Sequence, residues 1–150
     1  MAEKKEGVPL TKYHPIQVQG VLVKELFISA NGPPSEDKGV EGGRFSLMVG
    51  HSEYDEEDKE ISVSLKLEVG FEEDEKENSA PFSMRIEIVG NFKVDESEFP
   101  VEHIDHWAQR NAPLILFPYL REHAYSLTAR CGFKPMLLPL LEVPTFKPPE

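Results

Sequence analysis

Glu102, His103, Asp105 and His106 stand almost side by side, and they are side-chain types that ligate metals or move protons. On a helix, the i, i+3 spacing of His103 and His106 would put both imidazoles on one face, as half of a zinc site. No second ligand pair of matching spacing occurs elsewhere, so an exposed polar face is the reading these residues support. Cys131 is the single cysteine. A reactive thiol needs a cation or histidine to hold the thiolate, and only Arg121 and Arg130 are near in sequence. Cys131 therefore reads as a core cysteine at a helix end. Gly39, Gly42 and Gly43 lack the Lys-Ser/Thr ending and the following helix of a phosphate loop. No serine sits in a nucleophile elbow, and the carboxylates cluster at turns instead of cleft walls. The expectation is a protein with no catalytic residue, no cofactor and no metal, and so not an enzyme.

The elements that would position such groups are bounded by composition. The 150 residues suit one domain, residues 1–150, with 1–14 polar and loose and 131–150 forming a loop and C-terminal end. Net charge is −11, from 27 acidic against 16 basic residues. That balance speaks against nucleic acid, whose phosphates need a basic patch, and against an anionic membrane surface. One cysteine allows no intrachain disulfide, which fits a reducing compartment. The N-terminus has Lys4 and Lys5 but no apolar core of a signal peptide. No window approaches ~18 consecutive apolar residues, so membrane insertion is not expected. The expected location is cytoplasmic.

Four stretches read as strands. Residues 16–29 begin with alternation at Ile16 and Val18, break at Gly20, and resume as a run through Val21, Leu22, Val23, Leu26, Phe27 and Ile28. The glycine predicts a bulge or twist, and the run predicts burial on both faces, one route to which is pairing with another subunit. Residues 30–43 are a loop by composition. Phe45, Leu47 and Val49 alternate with polar or small residues as a second strand. Ile61, Val63, Leu65, Leu67, Val69 and Phe71 alternate strictly, with one wet and one dry face. Phe82, Met84, Ile86, Ile88, Gly90 and Phe92 do so again. Hairpin-length connections, with charged tips at 54–58 and 72–77 that keep them solvated, predict an antiparallel meander. Ser97 is expected to cap a short helix through Arg110, with Ile104, Trp107 and Ala108 on one face.

The remainder, residues 111–146, is far more apolar than anything before it. Phe117, Leu120, Ala124, Leu127 and Cys131 recur at helical steps, with Pro118 fitting the first turn. Arg121 and Glu122 read as capping and an ion pair inside an interface. Pro135, Pro139 and Pro144 then forbid a helix through a run of large apolar side chains.

Those residues carry a resemblance. Leu116-Phe117-Pro118-Tyr119 followed by Arg121-Glu122, then Ser126-Leu127, Arg130, Gly132-Phe133 and a Leu/Pro-rich run, resembles the SecB export-chaperone family, with Gly90-Asn91-Phe92 similar to its Gly-x-Phe position. The likeness follows strand order from about Ile16 and is sharpest over 90–141. It implies an α+β fold: a four-stranded antiparallel sheet with a short helix and one long helix packed across it. It also implies a homotetramer, a dimer of dimers in which first strands meet and long helices lie between dimers. The activity implied is an ATP-independent holdase that keeps secretory preproteins unfolded and passes them to SecA for export and translocation.

Carried over, the oligomer interface would comprise Val21, Val23, Leu116, Phe117, Tyr119, Leu120, Arg121, Ala124 and Leu127. The client-binding groove would be lined by Phe45, Leu47, Val49, Phe133, Met136, Leu137, Leu138, Leu140 and Leu141. The sequence ends at Glu150 where the family continues into a second helix and an acidic tail that contacts SecA. That leaves tail-dependent hand-over without residues to carry it, and makes Glu68 and Glu87 on the sheet face the candidate SecA-docking carboxylates. Two further readings share the pattern: a SecB-like chaperone dedicated to one client, such as the antitoxin of a toxin–antitoxin pair, and a non-chaperone oligomer whose apolar loop only seals subunits.

Overall fold

The alternating stretches pair into one antiparallel sheet in the computed structural model of the chain, which describes residues 7, 12–40, 44–71 and 80–142. Most of the expected loose N-terminal segment, the acidic tip at 72–77 and the stretch from 143 onward lie outside the described residues. The strands are β1 (Ile16–Ala30), β2 (Ser46–His51), β3 (Glu60–Val69) and β4 (Phe82–Val94). Strict alternation in β3 and β4 has the consequence expected of a period of two. Ile61, Val63, Leu65, Leu67 and Val69 face inward beside Phe82, Met84, Ile86, Ile88 and Phe92, all buried. The register sets Leu65 against Ile88 and Leu67 against Ile86.

The strand order is β1-β4-β3-β2, so only β2, β3 and β4 form a meander. β1 does not pair with β2; it runs along the far side of β4, from Ile16 opposite Val94 to Ala30 opposite Phe82. The correction has a physical cause. The Pro- and Gly-rich connection between Ala30 and Ser46 is too long for a tight hairpin, and β1 with its 15 residues matches the 13 of β4 far better than the 6 of β2. Gly20 does mark an irregularity, since the register slips between Val18 and Gly20.

After β4 the chain turns on Asp95, whose Oδ1 accepts hydrogen bonds from the Ser97 hydroxyl at 2.6 Å and the Ser97 N–H at 3.1 Å. Ser97 thus serves this turn and does not cap a helix. A single 3₁₀ turn (Val101–His103) follows Pro100 and leads into α1 (Ile104–Arg110), which buries Ile104, Trp107 and Ala108. Helix α2 (Ala112–Arg130) begins earlier than the sequence suggested, with Pro113 in its first turn. Pro118 lies inside the helix, not at its start. It has no N–H to offer the Leu114 carbonyl, and the missing bond accounts for the bend of α2 across the sheet.

Close approach of α2 depends on one residue. A Cβ built on Gly90 would lie 2.5 Å from Leu116 Cδ2 and 3.0 Å from Phe92 Cε2. The bare backbone of β4 is therefore the notch that receives Leu116. Beside it, Phe92 meets Trp107 edge-on at 5.2 Å between ring centroids, joining α1 to the same core. Near the same end of β4, the Tyr54 hydroxyl donates to Glu96 Oε1 at 2.7 Å and Lys59 Nζ donates to Glu96 Oε2 at 2.9 Å. This ties the β2–β3 tip to the turn after β4. The lysine and then the tyrosine lower the Glu96 carboxyl below its ordinary range, while burial and then that carboxylate push the Tyr54 hydroxyl up.

Two outcomes follow. Gly90→Ala should destabilise the fold by about 1–3 kcal/mol, read as a lower unfolding midpoint, because Leu116 must move. Gly20→Ala, whose Cβ meets nothing within 4 Å, should not. For Glu96, a depressed carboxyl contributes stability above its unfolded-state pKa and loses it as pH falls through the lower folded value. The stability advantage of the wild type over Glu96→Gln should therefore be full at neutral pH and vanish below the ordinary carboxylate range, as measured by denaturant midpoints across pH.

Candidate binding surface

Helix α2 ends in a cap that launches the apolar loop. Gly132 adopts a left-handed φ of +83°, its N–H donates to the Ala129 carbonyl at 3.1 Å, and the Phe133 N–H donates to the Thr128 carbonyl at 3.1 Å. This paired closure satisfies carbonyls that a helix end otherwise leaves open. The next residue, Lys134, donates its N–H to the Lys38 carbonyl at 2.9 Å, fastening the loop to the β1–β2 connection.

From there the loop divides its apolar residues. Phe133, Met136 and Leu138 are buried, with the Phe133 ring tilted against that of Phe82 at 5.0 Å between centroids. Leu137 is 68% exposed and Leu140 82%, while Leu141 is half-buried. Phe45, Leu47 and Val49 are half-buried and pack against the core along the β2 edge. Of the nine residues expected to line a groove, three are thus core side chains of this chain, four lie at its margin, and Leu137 and Leu140 project into solvent. Met48, exposed on the other face of β2, was not singled out by the sequence.

The residues expected between subunits divide in the same way. Leu116, Leu120 and Ala124 are fully buried and Phe117 nearly so, within the core of this same chain. Their contacts are with the sheet they cover, which leaves them no surface for another copy. Tyr119 is exposed, and Arg121 and Leu127 are half-buried. Ile115 and Tyr125 are exposed beside Tyr119, and sequence reasoning missed both. The signal was there: Ile115 and Tyr119 are one turn apart on the face opposite Leu116 and Leu120. On β1, Val21 is half-buried and Val23 46% exposed, and Leu22, Leu26 and Phe27 are exposed as well. Neighbouring positions of a strand face opposite ways, so this edge strand is apolar on both faces.

The polar face of the sheet is laced by ion pairs. Glu87 is 3.4 Å from Lys24 across β1 and β4. Glu68 lies 3.1 Å from Lys66 and 3.6 Å from Arg85, whose guanidinium also reaches Glu25 and covers the Phe71 ring at 4.2 Å. The two carboxylates expected to offer an acidic docking surface are thus both engaged across strands, in pairs worth up to about 1 kcal/mol each at such exposure. His103 and His106 are exposed, and among the described residues no group of three or more His, Cys, Asp or Glu could share a metal ion. Among the same residues, no helix is long and apolar enough to cross a membrane. A shallow depression near the N-terminal strand gathers Lys12, Lys59 and Lys93, but Asp95, Glu96 and Glu98 balance them.

Comparison with known proteins follows the same lines. The family model described as preprotein translocase subunit SecB matches residues 11–144. The protein-export protein SecB of Anaplasma phagocytophilum is 26% identical over 140 residues, covering 85% of this chain and 87% of that one. That of Magnetococcus marinus is 31% identical over 120 residues, covering 79% and 73%. Among solved structures, the SecB-like chaperone of Mycobacterium tuberculosis, in complex with a ChAD peptide from the HigA1 antitoxin, superposes with a TM-score of 0.63 at 17% identity, over 85% of this chain and 88% of that one. The sheet with a bent helix across it is the fold they share. Matched over nearly its whole length, the chain belongs to the SecB family.

Proposed function

We propose that the chain is an ATP-independent holdase that keeps unfolded proteins from aggregating by covering their apolar segments. The observation that carries this reading is the pair Leu137 and Leu140, held out in solvent by a loop that buries Phe133, Met136 and Leu138. A folded chain does not ordinarily display two leucines at 68% and 82% exposure from an anchored, non-helical segment unless something is meant to cover them. An unfolded polypeptide offers what fits: short apolar stretches with unpaired backbone, bound without demand for a particular sequence. Burying about 400 Å² of such a stretch contributes about 10 kcal/mol gross, most of it offset by ordering the client. Useful affinity then calls for several sites on one particle. The apolar edge strand β1, exposed on both faces, is the proposed contact through which copies assemble, and the outer face of α2 around Ile115, Tyr119 and Tyr125 a second one, giving the dimer of dimers that the family resemblance implies.

Secretory preproteins are the proposed clients and SecA the proposed recipient. A second reading rests on the structural neighbour, which is bound to an antitoxin peptide: a chaperone reserved for one client. Co-purification from the native cell separates them, a broad set of unfolded chains supporting the first and a single stoichiometric partner the second.

Replacing Leu137 and Leu140 together with Ser should weaken binding of a reduced, unfolded client about tenfold or more, while the unfolding midpoint stays near wild type because both side chains are already exposed. Suppression of client aggregation without nucleotide measures it; undiminished suppression would count against the loop. Val23→Glu should lower the particle mass seen by light scattering, since a charge on each copy would meet its counterpart across paired β1 strands. An unchanged mass would remove β1 from the assembly.

A further inference from the structure

Thr128 is the one polar side chain that is fully buried among the described residues. Its hydroxyl donates to the Ala124 carbonyl at 2.8 Å, the usual resting place of a threonine inside a helix. The same oxygen also accepts the N–H of Met136 at 2.8 Å, eight positions onward and already in the apolar loop. The Thr128 carbonyl meanwhile accepts the Phe133 N–H. One residue thus holds the loop at two amides. Pro135 and Pro139 have none to give, and no amide from Leu137 to Glu142 donates to another described residue. Met136 is therefore the last backbone anchor before the loop presents its leucines.

That anchor settles a question that burial cannot. Leu137 is out and Leu138 is in, and beyond Pro139 exposed Leu140 is followed by half-buried Leu141. The members of each pair are chemically identical. A slip of one position downstream of Met136 would exchange them with little change in apolar burial, because side chains alternate with a period of two. A directional contact must distinguish the two registers, and beyond the amide bonds of Phe133 and Lys134 the Met136 N–H to Thr128 hydroxyl bond is the one nearest the leucine pairs. We infer that Thr128 is a positioning residue that pins the register of the client-facing loop and so determines which leucines meet the client.

This rests on the holdase reading for its functional consequence, but the pin can be measured without a client. In a Cys131→Ala background, thiol labelling of Leu137→Cys should be much faster than that of Leu138→Cys. Adding Thr128→Val, which keeps the shape and removes the hydroxyl, should collapse that contrast by letting the two registers mix. It should also weaken binding of a fluorescent unfolded peptide to the otherwise wild-type chain about tenfold, the scale of one buried hydrogen bond left unmade. Thr128→Ser retains the hydroxyl and loses a core methyl, so it should keep both the contrast and the affinity while its unfolding midpoint falls.

A merely structural threonine predicts the reverse order, with binding tracking stability and Ser worse than Val. An intact labelling contrast in Thr128→Val, or loss of the contrast in Thr128→Ser, would overturn the pin. Should the wild-type chain bind no unfolded peptide while the contrast behaves as described, the holdase reading fails and the pin stands.

Discussion

One helix cannot cover four strands. Strands lie ~4.8 Å apart and a helix with its side chains is ~10 Å across, so α2 shields about two strands of the sheet it crosses. The notch at Gly90 draws it onto β3 and β4, with Leu116 seated against the bare backbone of β4. That placement makes the centre of the sheet a sealed core and leaves both edges short of cover. β1, on one edge, shows apolar side chains on both faces; β2, on the other, keeps Phe45, Leu47 and Val49 half-buried. The apolar loop after α2 reaches over the remainder with Phe133, Met136 and Leu138, and its spare leucines point outward. The surplus of exposed apolar surface follows from the geometry of a single helix on a wide sheet.

A protein with such a surplus must stay soluble and must not pair its edges indiscriminately. The charge of −11 opposes random association, and the ion pairs of Lys24 with Glu87 and of Lys66 and Arg85 with Glu68 keep the outer sheet face polar. The same division of surfaces suits the proposed activity, because β1, the outer face of α2 and the loop each offer apolar contact area. What belongs to the family is the fold and the pattern that builds it. In this chain the loop is held through a threonine hydroxyl and a closure at Gly132.

The sheet core was legible because β3 and β4 alternate without a break, and the helix because Phe117, Leu120, Ala124, Leu127 and Cys131 recur at helical spacing. Legibility ended where two outcomes had equal local merit. A four-strand pattern does not say which edge β1 joins; the length of its partner β4 does, and that is a long-range fact. Pro118 suits a first turn as well as a bend, and only tertiary packing carries the helix back to Ala112. Ser97 is as good at turning the chain on Asp95 as at capping a helix. The helix stripe was read as a subunit contact although it is core, because burial against a sheet and burial against a partner look alike in sequence. Glu68 and Glu87 read as free carboxylates because their cations sit on other strands or in the next outward position. In the loop, Leu137 and Leu138 could not be told apart at all.

In the proposed activity, unfolded chains are held at this loop and not elsewhere. Amide hydrogen exchange of the protein with and without a permanently unfolded client tests it most directly. The amides of Leu137, Leu138 and Leu140 to Glu142, which donate to no other described residue, should gain protection on binding, together with those along β2, while the β3 and β4 core stays unchanged. Protection confined to other surfaces, with the loop exchanging as fast as before, would contradict it.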